Sequence, residues 1–80
     1  MRSSYFDSCT LEEKIELLST EGVYLMCRKN SLYNIFLYSI DRLYIEVLYQ
    51  RKSSEMQNIL LITTEKVLDY YLNEMSFEIV

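Results

Sequence analysis

Apolar positions change their period twice along the chain. Leu11, Ile15 and Leu18 recur at helical spacing, with Leu17 beside the stripe. Thr10 and Glu13 frame its start as a capping box, each side chain placed to bond the other's amide. Glu12 and Glu13 occupy the first turn, where the helix dipole favours negative charge. Gly22 falls just past the end, in the place of a left-handed C-terminal cap. These signals predict a helix over 11–20, preceded by a polar-aromatic lead over 1–9.

From Val23 the period becomes two. Val23, Leu25 and Cys27 alternate with Tyr24, Met26 and Arg28. Asn30-Ser31 is the predicted turn, since Asn tolerates positive φ. A strand runs from Leu32 to Ile40, a second turn lies at Asp41-Arg42, and a third strand spans Leu43 to Gln50. Its β-branched and aromatic content suits a sheet. The polar loop over 51–55 leads to a fourth strand, Gln57 to Thr63. Thr63-Thr64 offers an N-cap to a second helix. Val67, Leu68, Tyr71, Leu72 and Met75 share one face of that helix. The tail over 76–80 frays or lies along the sheet. The order α-β-β-β-β-α predicts a single α+β domain over 1–80. It is a four-stranded antiparallel meander with the N-terminal and C-terminal helices packed on one face.

Two-residue turns fix a register. Cys27 then opposes Asn34, Leu25 opposes Phe36 and Val23 opposes Tyr38. In the second hairpin Ile40 opposes Leu43, Tyr38 opposes Ile45, Phe36 opposes Val47 and Asn34 opposes Tyr49. Opposed side chains share a face. One face collects Val23, Leu25, Cys27, Phe36, Tyr38, Ile40, Leu43, Ile45, Val47 and Tyr49, and is assigned to the helices and the core. The second face collects Tyr24, Met26, Tyr33, Ile35, Leu37, Tyr44 and Leu48 with Arg28, Ser39, Glu46 and Gln50. A wet sheet face should be mostly polar, and monomers rarely leave such a patch open. Tyr24, Met26, Ile35, Leu37, Tyr44, Glu46 and Leu48 are therefore the candidate interface, closed most simply by a second copy about a two-fold axis. The alternatives are that the helices split between the faces, or that the N-terminal lead covers the patch.

Composition narrows the chemistry. The 80 residues include no His, no Pro and one Gly, with a net charge of -4. Without His there is no imidazole base or ligand. Without several glycines there is no phosphate-cradling loop. No catalytic residue, cofactor or metal is expected. The pairs Glu12/Glu16 and Glu65/Asp69 lack the oxygens that a hard cation wants, and they read as solvated acidic faces. Glu46 lies mid-strand on the second face with no second catalytic group in its row. Arg28, Lys29, Arg51 and Lys52 gather at one end of the sheet near Tyr33 and Tyr49. The acidic balance argues against nucleic acid as their partner. Cys9 and Cys27 read as two free thiols, Cys27 buried and Cys9 accessible, which suits a reducing cytoplasm. No apolar run is long enough to span a bilayer.

Four segments carry a resemblance: Leu37-Tyr38; Leu43-Tyr44-Ile45-Glu46-Val47-Leu48-Tyr49; Asn58-Ile59; and Leu68-Asp69-Tyr70-Tyr71-Leu72. Over about residues 11–75 the chain resembles a group of small bacterial proteins with a helix, an aromatic β-meander and a closing helix. That group has no established activity, so the resemblance implies a fold and carries no site residues across. The expected role is a non-enzymatic, cytoplasmic protein–protein contact module, a homodimer through the second sheet face. A second reading is an inhibitor or immunity-type protein whose acidic surface masks a basic site on another macromolecule. A third is a small-molecule binder with its pocket between the helices and the first face.

Overall fold

The computed structural model describes residues 1–72. The elements are α1 (Ser3–Ser8), α2 (Leu11–Glu21), β1 (Val23–Lys29), β2 (Tyr33–Ile40), β3 (Leu43–Gln50), β4 (Met56–Ile62), α3 (Thr64–Val67) and a π-helical turn (Leu68–Leu72). The strands form one antiparallel sheet in the order β1-β2-β3-β4. The fold is α+β, with the four-stranded meander that the period-two segments predict.

The capping box of α2 forms as its residues dictate. Thr10 Oγ1 accepts from the Glu13 amide at 3.1 Å, and the Thr10 amide donates to Glu13 Oε1 at 2.8 Å. Thr63 Oγ1 caps α3 by accepting from the Lys66 amide at 3.1 Å. Gly22 departs from the expected left-handed cap. Its backbone is extended, at φ -75 and ψ 143. Its amide donates to Leu18 O at 3.0 Å, and a Cβ there would stand 2.5 Å from that oxygen. Close approach, rather than positive φ, is what requires glycine at this position.

The β2–β3 register is the predicted one, pair for pair, from Asn34↔Tyr49 to Ile40↔Leu43. The β1–β2 register is not. Cys27 opposes Phe36 and Lys29 opposes Asn34, a shift of two residues. The turn is Ser31-Leu32, because Asn30 acts through its side chain. Asn30 Oδ1 accepts from the amides of Leu32 and Tyr33 at 2.9 and 2.8 Å. A shift of two preserves each residue's face. A β-bulge at Leu25 does not, because the register slips by one between Tyr24 and Met26. It pairs Tyr24 with Tyr38 on the first face and Val23 with Ser39 on the second.

The helices divide between the two faces, which corrects the expectation that both lie on one. On the first face, Phe6 of α1 is wholly buried against Ile40, Ile45, Val47 and Ile59. Leu17 and Leu18 of α2 pack at the margin of this cluster. The predicted lead is therefore a helix, and it supplies the central plug of the core. On the second face the π-helical turn brings Tyr71 onto Glu46. Met75 and the tail over 76–80 lie outside the described residues.

Candidate functional site

The centre of the predicted interface is closed within the chain. Ile35, Leu37 and Glu46 are 2%, 1% and 2% exposed. Tyr71, 3% exposed, donates from its hydroxyl to Glu46 Oε2 at 2.6 Å. Arg28 completes the arrangement, with Nε 3.0 Å from Oε2 and Nη2 3.2 Å from Oε1. Its guanidinium carbon lies 4.1 Å from the Tyr70 ring centroid and 5.6 Å from that of Tyr71. These four side chains form a lid of charge and aromatic surface. Ile35, Leu37 and Glu46 are thus unavailable to a partner. Met26, Tyr44 and Leu48 remain half-buried around them. Tyr24 has left this face through the Leu25 bulge.

The electrostatics follow from the burial. A buried carboxylate needs its lone pairs filled, and Glu46 accepts three hydrogen bonds from Arg28 and Tyr71. Burial raises the Tyr71 pKa above its ordinary value of 10.0, and the hydrogen bond to Glu46 and its charge add to the rise. Burial alone lowers that of the Arg28 guanidinium, but the bonds and charges of Glu46 and Tyr71 outweigh it, and the net shift is upward. The cluster holds a proton donor, a carboxylate and a cation, all committed to one another. A cavity of about 370 Å³ lies beside it, walled in part by Tyr33, Leu48, Lys66 and Tyr70.

The basic residues share one end of the sheet but take up different contacts. Arg28 points into the second face. Arg51 Nη1 donates to the Asn30 carbonyl at 2.9 Å and braces the first turn. Lys29 and Lys52 are exposed. Among the described residues no group of three or more Cys, Asp or Glu side chains is placed to hold a metal ion. The thiols exchange the predicted roles. Cys9, the C-terminal cap of α1, is buried, and Cys27 on the edge strand β1 is exposed.

The open surface lies on the first face, where the helical layer ends short of β1. No residue of α2 is fully buried. Between α2 and the sheet runs an open groove of about 540 Å³, lined by Ile15, Leu18, Tyr24, Tyr38, Tyr49 and Met56 among others. Its sheet floor is aromatic. Tyr24 sits 5.7 Å from Tyr38 and 6.2 Å from Phe36, and Phe36 sits 5.5 Å from Tyr49, measured between ring centroids. Tyr24, Leu25, Leu11 and Ile15 are 50%, 43%, 52% and 42% exposed. The sequence pattern places Val23 and Tyr24 on the wrong faces because a bulge leaves no mark in an alternating run.

No family model, curated protein or solved structure matches the chain. No helix among the described residues is long and apolar enough to cross a membrane.

Proposed function

We propose that the protein is a non-enzymatic, cytoplasmic protein–protein contact module whose contact surface is the α2–β1 side of the first sheet face. One observation carries the reading. Ile15 and Tyr24 stay open to solvent on the lining of an aromatic groove, with Leu11 and Leu25 also exposed, in a chain that has closed the centre of its other apolar face. Exposed apolar groups in such a cluster mark interaction sites, and Tyr with aliphatic neighbours is the composition of interface cores. The non-catalytic part is supported by the state of Glu46. Its carboxylate is taken up by Arg28 and Tyr71 rather than aimed at a second reactive group. A role by contact also suits the size, because an 80-residue domain gains stability from a partner.

The test compares wild type with Ile15→Asp and Tyr24→Asp. Both positions are exposed, so both variants should keep the wild-type circular dichroism and melting temperature. Light scattering and affinity capture from native lysate should show an association in wild type that both variants lose. Identical association behaviour in wild type and both folded variants overturns the reading.

A further inference from the structure

The groove on the first face has a floor as well as a rim. Its rim includes the exposed Ile15 and Tyr24, and its lining also takes in Val47 and Ile59, which are 3% and 4% exposed. Val47 and Ile59 belong to the core cluster around Phe6, so the groove reaches from solvent to the core. A second cavity of about 340 Å³ adjoins it, because Tyr38 and Tyr49 line both. Asn34, Phe36 and Ser54 complete the walls of that second cavity. The lining is therefore ordered, aliphatic at the α2 end, tyrosine in the middle and polar at Asn34 and Ser54. The rings meet edge to face, Tyr24 with Tyr38 at 67° and Phe36 with Tyr49 at 80°, so neither pair is stacked. Ring faces remain for another aromatic ring. Small-molecule sites have this form, roughly 300–1,000 Å³ in volume, mostly apolar and aromatic, with a few polar groups that orient the ligand.

Charge decides the class of ligand. In a chain of which 25% of the residues are charged, no charged side chain lines either cavity. Lys29, the cross-strand neighbour of Asn34, is exposed and lines neither. An ion entering this space would give up water for no partner, which is costly. An uncharged group does find partners. Asn34 is half-buried on the apolar face, and its side-chain amide makes no hydrogen bond among the described residues. The Tyr38 and Tyr49 hydroxyls make none either. We infer that the groove binds an uncharged small molecule with an aromatic body and a neutral hydrogen-bonding head, the body between α2 and the tyrosines and the head at Asn34. The inference goes beyond the protein-contact reading and does not depend on it, since that reading uses the exposed rim and this one the floor. An aromatic body seated there completes the core that α2 leaves open, so binding stabilises the fold.

The probe is N-phenyl-1-naphthylamine, an uncharged fluorophore that brightens in apolar surroundings. Titrated into the full chain, it should bind saturably, raise the melting temperature and shift the Tyr38 and Tyr49 amide resonances. Competitors that share one ring system then test the head group, in enough salt to screen the net charge of -4. 1-Naphthalenemethanol should displace the probe at concentrations several-fold lower than 1-naphthoate or 1-naphthylmethylammonium requires. Asn34→Leu should erase the advantage of 1-naphthalenemethanol over 1-methylnaphthalene, which has no head. Ser19→Trp, at an exposed α2 position on the lining, should plug the groove and abolish binding while circular dichroism stays unchanged. Leu11→Asp, exposed and outside the lining, should bind the probe as wild type does. A chain that never binds the probe saturably overturns the inference and leaves the protein-contact reading to its own variants. Equal displacement by the alcohol and the two ions overturns it, as do amide shifts centred on Tyr33 and Leu48 beside the second-face cavity.

Discussion

Arg28 and Glu46 lie on β1 and β3, with β2 between them, yet Arg28 Nε sits 3.0 Å from Glu46 Oε2. The arginine stem must cross β2, whose side chains on that face include Ile35 and Leu37. The pair is unequally buried, with the side chain of Arg28 20% exposed and that of Glu46 3%. Removing either partner is therefore not symmetric. Arg28→Met strands a carboxylate in the interior, and it should cost about 3–5 kcal/mol, as expected for an uncompensated buried charge. Glu46→Leu leaves a guanidinium that can turn to solvent, and should cost less. The double variant should be more stable than Arg28→Met alone. Urea unfolding of the three variants checks the order, and equal losses for the two single variants would contradict the burial asymmetry.

Tyr71 makes the same cluster sensitive to alkali. Its pKa is raised in the folded state, so between the unfolded value of 10.0 and the folded value the native chain holds a proton that the unfolded chain has lost. Stability from this group is complete below pH 10.0 and declines as pH rises towards the folded value. Tyr71→Phe removes that proton and should flatten part of the alkaline decline. It should also lower stability near neutrality by about 1–3 kcal/mol, since Glu46 loses a donor. Unfolding at a series of pH values for both proteins reads the two effects separately. An unchanged alkaline slope in Tyr71→Phe would remove Tyr71 as its source.

Much of the fold was legible because local signals agreed with one another. The capping box, the strand periods and the Asp41-Arg42 turn each led to the observed element, and the β2–β3 register followed residue by residue. Asp41 takes φ 54, the left-handed conformation that Asp tolerates. The first hairpin failed because Asn30 has two uses in a turn. It can adopt positive φ, or it can accept amides through its side chain, and composition does not choose between them. The site was less legible still. Glu46 stood out as a polar group on an apolar face, but its partners Arg28 and Tyr71 lie 18 residues before it and 25 residues after it. The division of the helices depends on which face Phe6 fills, and one aromatic in a short lead gives no period to read.

Phe6 therefore offers a direct measure of the lead's contribution. It is 0% exposed at the centre of the first-face core. Phe6→Ala should cost about 3–5 kcal/mol, the range for deleting a buried aromatic. Phe6→Leu should cost less, because it fills more of the space. Tyr5→Ala, at a neighbouring position 56% exposed, should be near neutral. Denaturant midpoints for the three variants decide the matter, and a near-neutral Phe6→Ala would detach α1 from the core.

The thiols report on how far the helical layer extends. Cys27 is exposed and Cys9 is buried at the C-terminal end of α1, where Cys9 Sγ lies 3.4 Å from the Tyr5 carbonyl oxygen. A chromogenic thiol reagent should modify Cys27 rapidly in the native protein and Cys9 only on unfolding. Cys27→Ser should abolish the fast phase, and Cys9→Ser should abolish the slow one. A fast phase that survives Cys27→Ser would mean that α1 does not hold its place.

Gly22 separates two reasons for a glycine at a helix end. Were it a left-handed cap, Asn would substitute for it better than Ala, since Asn visits that conformation readily. Its φ of -75 is ordinary for any residue. The constraint is the Leu18 carbonyl oxygen, 2.5 Å from where a Cβ would stand. Every side chain brings that Cβ, so Gly22→Ala and Gly22→Asn should lose stability alike, each by about 1–3 kcal/mol as in overpacked sites. The displaced chain would also move the entry to β1, so both variants should shift the Val23 and Tyr24 amide resonances. Thermal melts measure the loss and NMR spectra the displacement. A Gly22→Asn protein clearly more stable than Gly22→Ala would point to a left-handed cap in solution.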